Sequence, residues 1–360
     1  MEGDMVKIHR WLLPLSWLYG LGVGIRNTLF DIGVRKSVSY PIPVIDVGNI
    51  TVGGTGKTPH VEYLIRLLSS RYRVAVLSRG YKRKTSGYIL AAPDSTMQEI
   101  GDEPWQMKQK FPDIYVAVDS DRRRGIERLM ADKATKDVQV ILLDDAFQHR
   151  RVKAGLDILL VDYHRMITDD CLLPAGRLRE SASARNRASI VIVTKCPHDI
   201  TPMGFRVIQS ALGLKPYQKL FYSTFDYGMM HQLFGDKQLS PKSLRKENMH
   251  VLLLTGIGNP QQMEQDLRRF VQHIKPLAFP DHHYFTADDA RKIARELNRL
   301  TQPRIIVTTE KDATRLMTLD AALSPDVRES IYVLPVETQI MKNESDKLNE
   351  TILDYVHENT

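Results

Sequence analysis

Short, almost continuous apolar runs alternate along this chain with stretches whose apolar positions recur every three or four residues. The runs at 43–47, 73–78, 114–118, 138–143, 157–161 and 190–193 read as strands. Residues 58–70 place Val61, Leu64, Ile65 and Leu68 on one side of a predicted helix. Strands that are apolar on both faces and separated by helices predict a parallel sheet covered on both sides. Around 212–222 the rhythm changes, and a hairpin region is expected over 220–222 and the stretch that follows. A second alternating series follows, with a strand at 251–254, helices from Gln261 and Ala287, and strands at 304–307 and 331–334. Residues 344–357 read as a helix that packs back on the first domain. The expected organisation is α/β. An N-terminal segment covers 1–36, a parallel-sheet domain 37–216, a smaller α/β domain 217–345 and a C-terminal helix 346–360.

The N-terminal segment breaks this pattern. Residues 11–25 carry no charge, yet a membrane span needs about 20 apolar residues. No signal-peptide cleavage pattern follows the run. Lys7, Arg10, Arg26, Arg35 and Lys36 flank it, and Trp11, Trp17 and Tyr19 lie among leucines. That composition suits a helix lying in a membrane interface, with its cations towards lipid phosphates. A helix covering the core is the other reading. Gly20, Gly22 and Gly24 weaken any helix there.

With 360 residues, two domains are the natural count. The net charge of +7 suits an anionic partner without choosing among nucleotide, nucleic acid and lipid surface. The two cysteines, Cys171 and Cys196, are too few for a disulfide framework or a four-cysteine zinc site.

The strongest local chemistry is the run Gly48-Asn-Ile-Thr-Val-Gly-Gly-Thr-Gly-Lys-Thr58 between a predicted strand and a predicted helix. Phosphate loops use this placement because backbone N–H groups and a helix N-terminus converge on an anion. Thr51, Gly53, Gly54, Thr55 and Gly56 form the cradle, Lys57 reaches the β- and γ-phosphates, and the Thr58 hydroxyl binds Mg²⁺. Thr51 stands where the full pattern has glycine, which leaves the path of the first turn open. Asp144-Asp145, closing the apolar run at 138–143, supplies the carboxylate that such loops need for Mg²⁺. These elements define a P-loop phosphotransferase or NTPase and leave ATPase, GTPase and kinase open. A guanine site carries N-K-x-D; here Thr194-Lys195-Cys196-Pro197 lacks the carboxylate, which favours adenine.

Further segments are hard to explain as scaffold. They are Ser78-Arg-Gly-Tyr81, Gly101-Asp-Glu-Pro104, Asp144-Asp-Ala-Phe-Gln-His149, Leu172-Leu-Pro-Ala-Gly-Arg-Leu-Arg-Glu180, Phe279-Pro-Asp-His-His283 and Thr308-Thr-Glu-Lys-Asp312. Together with the phosphate loop they resemble, in order and spacing, the tetraacyldisaccharide 4′-kinase family, the lipid A 4′-kinases of Gram-negative bacteria. Ala146 departs from the glycine usual after the paired aspartates.

The resemblance implies a P-loop kinase domain, a second α/β domain and an N-terminal membrane-interface helix. It implies ATP-dependent phosphorylation of the 4′-hydroxyl of tetraacyldisaccharide 1-phosphate, giving lipid IVA in lipid A biosynthesis. It also implies a peripheral enzyme on the cytoplasmic face of the inner membrane. Its partners are then the lipid substrate and the membrane surface, with no nucleic acid and no obligate protein partner expected. Asp102, on a turn marked by Gly101 and Pro104, is the candidate base for the sugar hydroxyl, and the resemblance pairs it with His282. Glu103 and Asp145 carry over as Mg²⁺-associated carboxylates, with Asp144 sharing that work. Arg79, Lys82, Arg123, Gln148 and His149 are the candidate substrate contacts, although a charge run such as Arg122–Arg124 is usually a solvated face.

Overall fold

The computed structural model describes residues 8–257, 260–281 and 283–360. By packing, the chain divides into two units. One holds the chain as far as Phe225 and again from Thr338; the other is Asp226–Glu337.

The first unit runs α1 (Leu13–Asp31), β1 (Val44–Gly48), α2 (Lys57–Ser69), β2 (Val74–Ser78), β3 (Ile89–Leu90), α3 (Met97–Ile100), α4 (Asp102–Lys110), β4 (Tyr115–Val118), α5 (Arg122–Ala131), β5 (Val140–Asp144), β6 (Leu156–Asp162), β7 (Ile190–Thr194), α6 (Pro202–Leu212) and β8 (Lys219–Tyr227). The second runs β9 (Met230–Gln232), β10 (Gln238–Leu239), α7 (Ser243–Lys246), β11 (His250–Thr255), α8 (Pro260–Leu267), β12 (His273–Ala278), α9 (Ala287–Asn298), β13 (Arg304–Thr309), α10 (Glu310–Leu316), α11 (Pro325–Ser330) and β14 (Ile331–Leu334). The chain then returns through β15 (Val336–Ile340) and α12 (Ser345–Asn359).

The large sheet has the order β15-β8-β7-β6-β1-β5-β2-β4-β3. β1 pairs in parallel with both β5 and β6, so the chain moves to one side of β1 and later to the other. Such a reversal opens a crevice at the carboxyl ends of the strands. Ile45 and Val47 pack under α2 through Val61, Leu64, Ile65 and Leu68, and under α12 through Leu348, Ile352 and Val356. On the other face Val44, Leu77, Ile141 and Leu143 meet Ile126 and Leu129 of α5. Burial on both faces is why these strands read as unbroken apolar runs. The smaller sheet, ordered β10-β9-β14-β13-β11-β12, is parallel from β14 to β12 and ends in the antiparallel pair β9–β10.

Two expectations need correcting. Of the hairpin region expected from 220 onward, 220–222 lie instead in β8, parallel to β7 with Ile190 opposite Lys219 and Val193 opposite Tyr222, while the stretch that follows does hold the antiparallel pair β9–β10. Phe221 and Tyr222 are buried in different cores, as the faces of an interior strand require. The expected boundary at 217 therefore falls inside the first unit's sheet, and the division lies at 226. The expected end at 345 lies past β15, whose Ile340 belongs to the first unit's core.

α1 forms despite its glycines. A Cβ at Gly20 would sit 2.6 Å from Leu172 Cδ1, so glycine permits close approach to the 171–180 segment. Ser16 is its one buried residue, donating to Leu172 O at 2.9 Å and accepting from Ala175 N at 2.9 Å. Arg26 pairs with the buried Glu180 at 2.5 Å. Several large apolar side chains of α1 and the turn before it point outward, with Trp11 78%, Trp17 72% and Leu18 67% exposed.

α12 is fastened at its far end. The Tyr355 hydroxyl accepts from Val44 N at 3.2 Å and donates to Val44 O at 3.1 Å, and a Cβ at Gly155 would overlap that hydroxyl. Gly155→Ala should therefore lower stability by roughly 1–3 kcal/mol, the usual range for overpacking. Urea unfolding of the variant measures this, and combination with Tyr355→Phe should recover part of the loss.

Candidate active site

β1 ends in the loop 49–56 at the crevice of the large sheet. Thr51 is buried and bridges antiparallel to Leu178. Arg179 N donates to Ile50 O at 2.7 Å and Val52 N to Arg177 O at 2.8 Å. The first half of the loop is thus extended, a conformation that suits threonine and needs no glycine. Asn49 Nδ2 donates to Thr51 Oγ1 at 3.3 Å and Thr55 Oγ1 at 2.8 Å. Gly56 begins the helix at φ +84°, and a Cβ there would sit 2.6 Å from the Phe225 ring.

The loop's carbonyls are claimed from several sides. Thr194 Oγ1 donates to Thr55 O at 2.9 Å, Lys195 Nζ donates to Gly54 O, and Gln148 Nε2 donates to Asn49 O. His60 Nδ1 donates to Gly56 O at 2.7 Å, while its Nε2 accepts from Ser223 Oγ at 2.9 Å. Burial lowers the His60 pKa to about 4, so the ring is neutral. Among the described residues no hydrogen bond takes the N–H of Gly53, Gly54, Thr55 or Gly56. Carbonyls held back and amides left open make an anion cradle.

Lys57 opens α2, and its Nζ lies 3.7 Å from Asp145 Oδ1. Asp144 ends β5 beside β1, with Val47 opposite Asp144. Its Oδ2 accepts from Ser78 Oγ at 3.0 Å. Burial, then the charges of Glu103 and Asp145, raise the Asp144 pKa to about 7. Burial also opposes ionisation of Asp145, but Lys57 and Arg179 override it and hold that carboxyl below its usual value. Asp144 Oδ1 and Asp145 Oδ1 are buried without hydrogen-bond partners. Asp144 Oδ1, buried without a hydrogen-bond partner among the described residues, and Asp145 Oδ1, met only by the Lys57 ammonium at 3.7 Å, fit a hard divalent cation. Thr58 lies on the same helix turn as Lys57.

Asp102 and Glu103 begin α4, after Gly101 at φ +94°. A Cβ at Gly101 would lie 3.1 Å from Tyr81 O, so this turn rests on the segment carrying Arg79 and Lys82. Arg79 and Lys82 are exposed. Gln148 Oε1 accepts from Arg179 Nη1 at 3.2 Å, which makes it a brace of the loop. His149 is half-buried, and burial lowers its pKa.

The run at 122–124 is not a uniform solvated face. Arg122 is buried and donates to Asp119 O at 2.5 Å and Asp144 O at 3.0 Å, fixing the turn of the acidic pair. Arg123 pairs with Asp121 at 3.0 Å and Arg124 with Asp119 at 2.7 Å. His282 lies outside the described residues. In the second unit His283 Nε2 meets Asp289 Oδ2 at 2.9 Å. Asp312 is buried and accepts from Gly256 N at 2.9 Å and Thr309 Oγ1 at 2.8 Å.

Sequence reading missed His60, Arg122, Arg179 and the Asp162–Lys195 pair at 2.6 Å. Arg179 stood inside a quoted motif and Lys195 inside the segment compared with N-K-x-D. His60 had no local signal, because its partner Ser223 lies on β8.

A parallel sheet with an open anion loop at its reversal point, beside an acidic pair on the adjoining strand, defines a P-loop phosphotransferase or NTPase. Within that class the chain belongs to the tetraacyldisaccharide-1-P 4′-kinase family, whose pattern matches residues 8–357. It is 54% identical to a tetraacyldisaccharide 4′-kinase of Phocaeicola vulgatus, over 100% of this chain and 98% of that one. It is 53% identical to one from Bacteroides fragilis strain YCH46, over 100% and 96%. It resembles the crystal structure of the "apo" form of LpxK from Aquifex aeolicus in complex with ATP, with a TM-score of 0.74, 30% identity and coverage of 97% and 99%.

His60 generates a pH prediction. The unfolded chain, at 6.5, binds this proton more readily than the folded chain, at about 4. Its contribution is complete above pH 6.5 and is lost as pH falls towards 4, by about 3 kcal/mol. His60→Gln keeps a donor and an acceptor but cannot titrate there. Its loss of stability between pH 7 and pH 4 should be smaller than that of the natural protein by about that amount, as read by urea unfolding at each pH.

Proposed function

We propose that this protein transfers the γ-phosphoryl group of ATP to the 4′-hydroxyl of tetraacyldisaccharide 1-phosphate, forming lipid IVA in lipid A biosynthesis. The observation that carries the reading is the open-amide loop facing Lys57 and the Asp144–Asp145 pair, in a chain that matches one kinase family from end to end. Loop amides and the Lys57 ammonium hold the phosphates. The acceptor hydroxyl oxygen bonds to the γ-phosphorus as the bond to the ADP oxygen breaks. The hydroxyl proton passes to Asp102, assisted by His282. Thr58, Asp144 and Asp145, with Glu103 beside them, would hold Mg²⁺, which supplies positive charge to the phosphates. Arg122 and Arg179 keep the acidic turn in place.

The enzyme works as a peripheral protein on the cytoplasmic face of the inner membrane. Support comes from α1 and the turn before it, which place Ser16 and Gly20 towards the protein and Trp11, Leu15, Trp17, Leu18, Leu21 and Ile25 away from it. No described helix is long and apolar enough to cross a membrane.

Purified protein given γ-labelled ATP, Mg²⁺ and the disaccharide lipid should label the lipid; free phosphate without labelled lipid would refute the kinase reading. Asp102→Ala should lower kcat by roughly 10²–10⁴-fold with ATP affinity retained. Loss mainly of ATP binding would instead make Asp102 a nucleotide or metal ligand. Replacing Trp11, Trp17 and Leu18 by alanine should abolish flotation with anionic vesicles and raise KM for vesicle-borne lipid, leaving ATP binding unchanged.

A further inference from the structure

The segment after β6 belongs to none of the sequence motifs, yet it reaches the phosphate loop. Asp162 organises it. Asp162 Oδ1 accepts from His164 N at 2.9 Å, its backbone carbonyl accepts from Arg165 N at 3.0 Å, and its Oδ2 meets Lys195 Nζ at 2.6 Å. Lys195 Nζ also donates to Gly54 O, so the turn carrying Arg165 is referenced to the loop itself. Arg165 Nη1 lies 4.0 Å from the position a Cβ would take at Gly53, whose φ is +117°. Among the described residues no atom lies within 4 Å of a Cβ placed on Gly54, so the space they leave beside the loop is open.

Among the described residues the Arg165 guanidinium is uncommitted, and unlike that of the exposed Arg79 it is half-buried beside the loop. Arg122, Arg179, Arg187 and Arg26 all donate to carboxylates or carbonyls. Arg165 has no side-chain hydrogen bond or ion pair among the described residues. Asp170 feels its charge but does not pair with it, its Oδ1 accepting from the N–H groups of Cys171 and Arg177 at 2.7 and 3.1 Å. A half-buried cation that forgoes a nearby carboxylate, on a braced turn, beside an open anion cradle, is placed for an anion that arrives from outside the chain.

We infer that Arg165 is a catalytic residue of the phosphoryl transfer, an arginine supplied in cis that contacts the transferred phosphate from the Gly53 side of the loop while Lys57 contacts it from the helix side. The inference rests on the kinase reading above. As the acceptor oxygen bonds to phosphorus and the ADP oxygen leaves, charge spreads over the equatorial phosphoryl oxygens, and a planar guanidinium matches two of them at once. The proton still goes to the base; Arg165 donates hydrogen bonds and exchanges none.

The test compares the full-length protein with Arg165→Ala and Arg165→Lys, measuring kcat, KM and ATP affinity with Mg²⁺ and the disaccharide lipid. Arg165→Ala should lower kcat by about a hundredfold or more while ATP affinity changes by less than about fivefold. Arg165→Lys should recover only part of the rate, having charge without the fork. Millimolar guanidinium chloride should partly rescue the alanine variant, which a purely structural loss would not allow. A kcat within about threefold of the natural protein, or a loss of ATP affinity equal to the loss of kcat/KM, overturns the assignment. Should alanine unfold the chain, the folded lysine variant decides: an undiminished kcat there overturns it. If the natural protein labels no lipid, the kinase reading fails instead, and the same comparison on its ATP hydrolysis still reads Arg165.

Discussion

A loop that binds phosphate must leave its amide N–H groups unused by the protein, so its conformation has to be held through other groups. Here the surrounding structure meets that constraint by taking the carbonyls. Gly54 O is held by Lys195, Thr55 O by Thr194, Gly56 O by His60 and Asn49 O by Gln148, while Ile50 O accepts from Arg179 N. These holders come from β7, α2, the segment after β5 and the 171–180 segment. The order β7-β6-β1-β5 brings them around β1. The large sheet is in this sense the frame of one loop.

The same logic organises the acidic pair. Two adjacent carboxylates at a buried strand end repel each other, and burial penalises both charges. Lys57 and Arg179 stabilise Asp145, Ser78 donates to Asp144, and Arg122 pins the backbone between them. One oxygen of each carboxylate stays without a hydrogen bond among the described residues, that of Asp145 facing the Lys57 ammonium, an arrangement that costs stability in the empty protein and suits a site completed by a cation. α1 shows a second exposed cost: it presents tryptophan and leucine to the outside and keeps its serine inside. That inversion is unfavourable in water and favourable at an apolar interface.

Much was legible in the chain. Strands buried on both faces carry near-continuous apolar runs, so β1, β2, β4 to β7, β11, β13 and β14 were visible within a residue or two. The phosphate loop was visible because its chemistry is local: glycines, lysine and threonine all act within one turn of chain. β8 was misread, since a strand with an exposed lysine and a tail of alternating character resembles a hairpin arm until its parallel partner is known. The Arg122–Arg124 run looked like a surface because sequence shows three like charges together. It does not show that Asp119, Asp121 and the Asp144 carbonyl lie opposite them.

The chain alone determined the α/β class, the nucleotide loop and the family, because each rests on residues adjacent in sequence or on motifs in fixed order. Only the tertiary structure decided which side chains keep the loop open. Asn49 meets Thr55 locally, but His60 needs Ser223, Thr55 needs Thr194, and Asp145 needs Arg179. It alone showed that the Arg165 side chain has no partner among the described residues. Hydrogen bonds and charges act through space over a few ångströms, and the folding of the sheet sets which distant residues come that close.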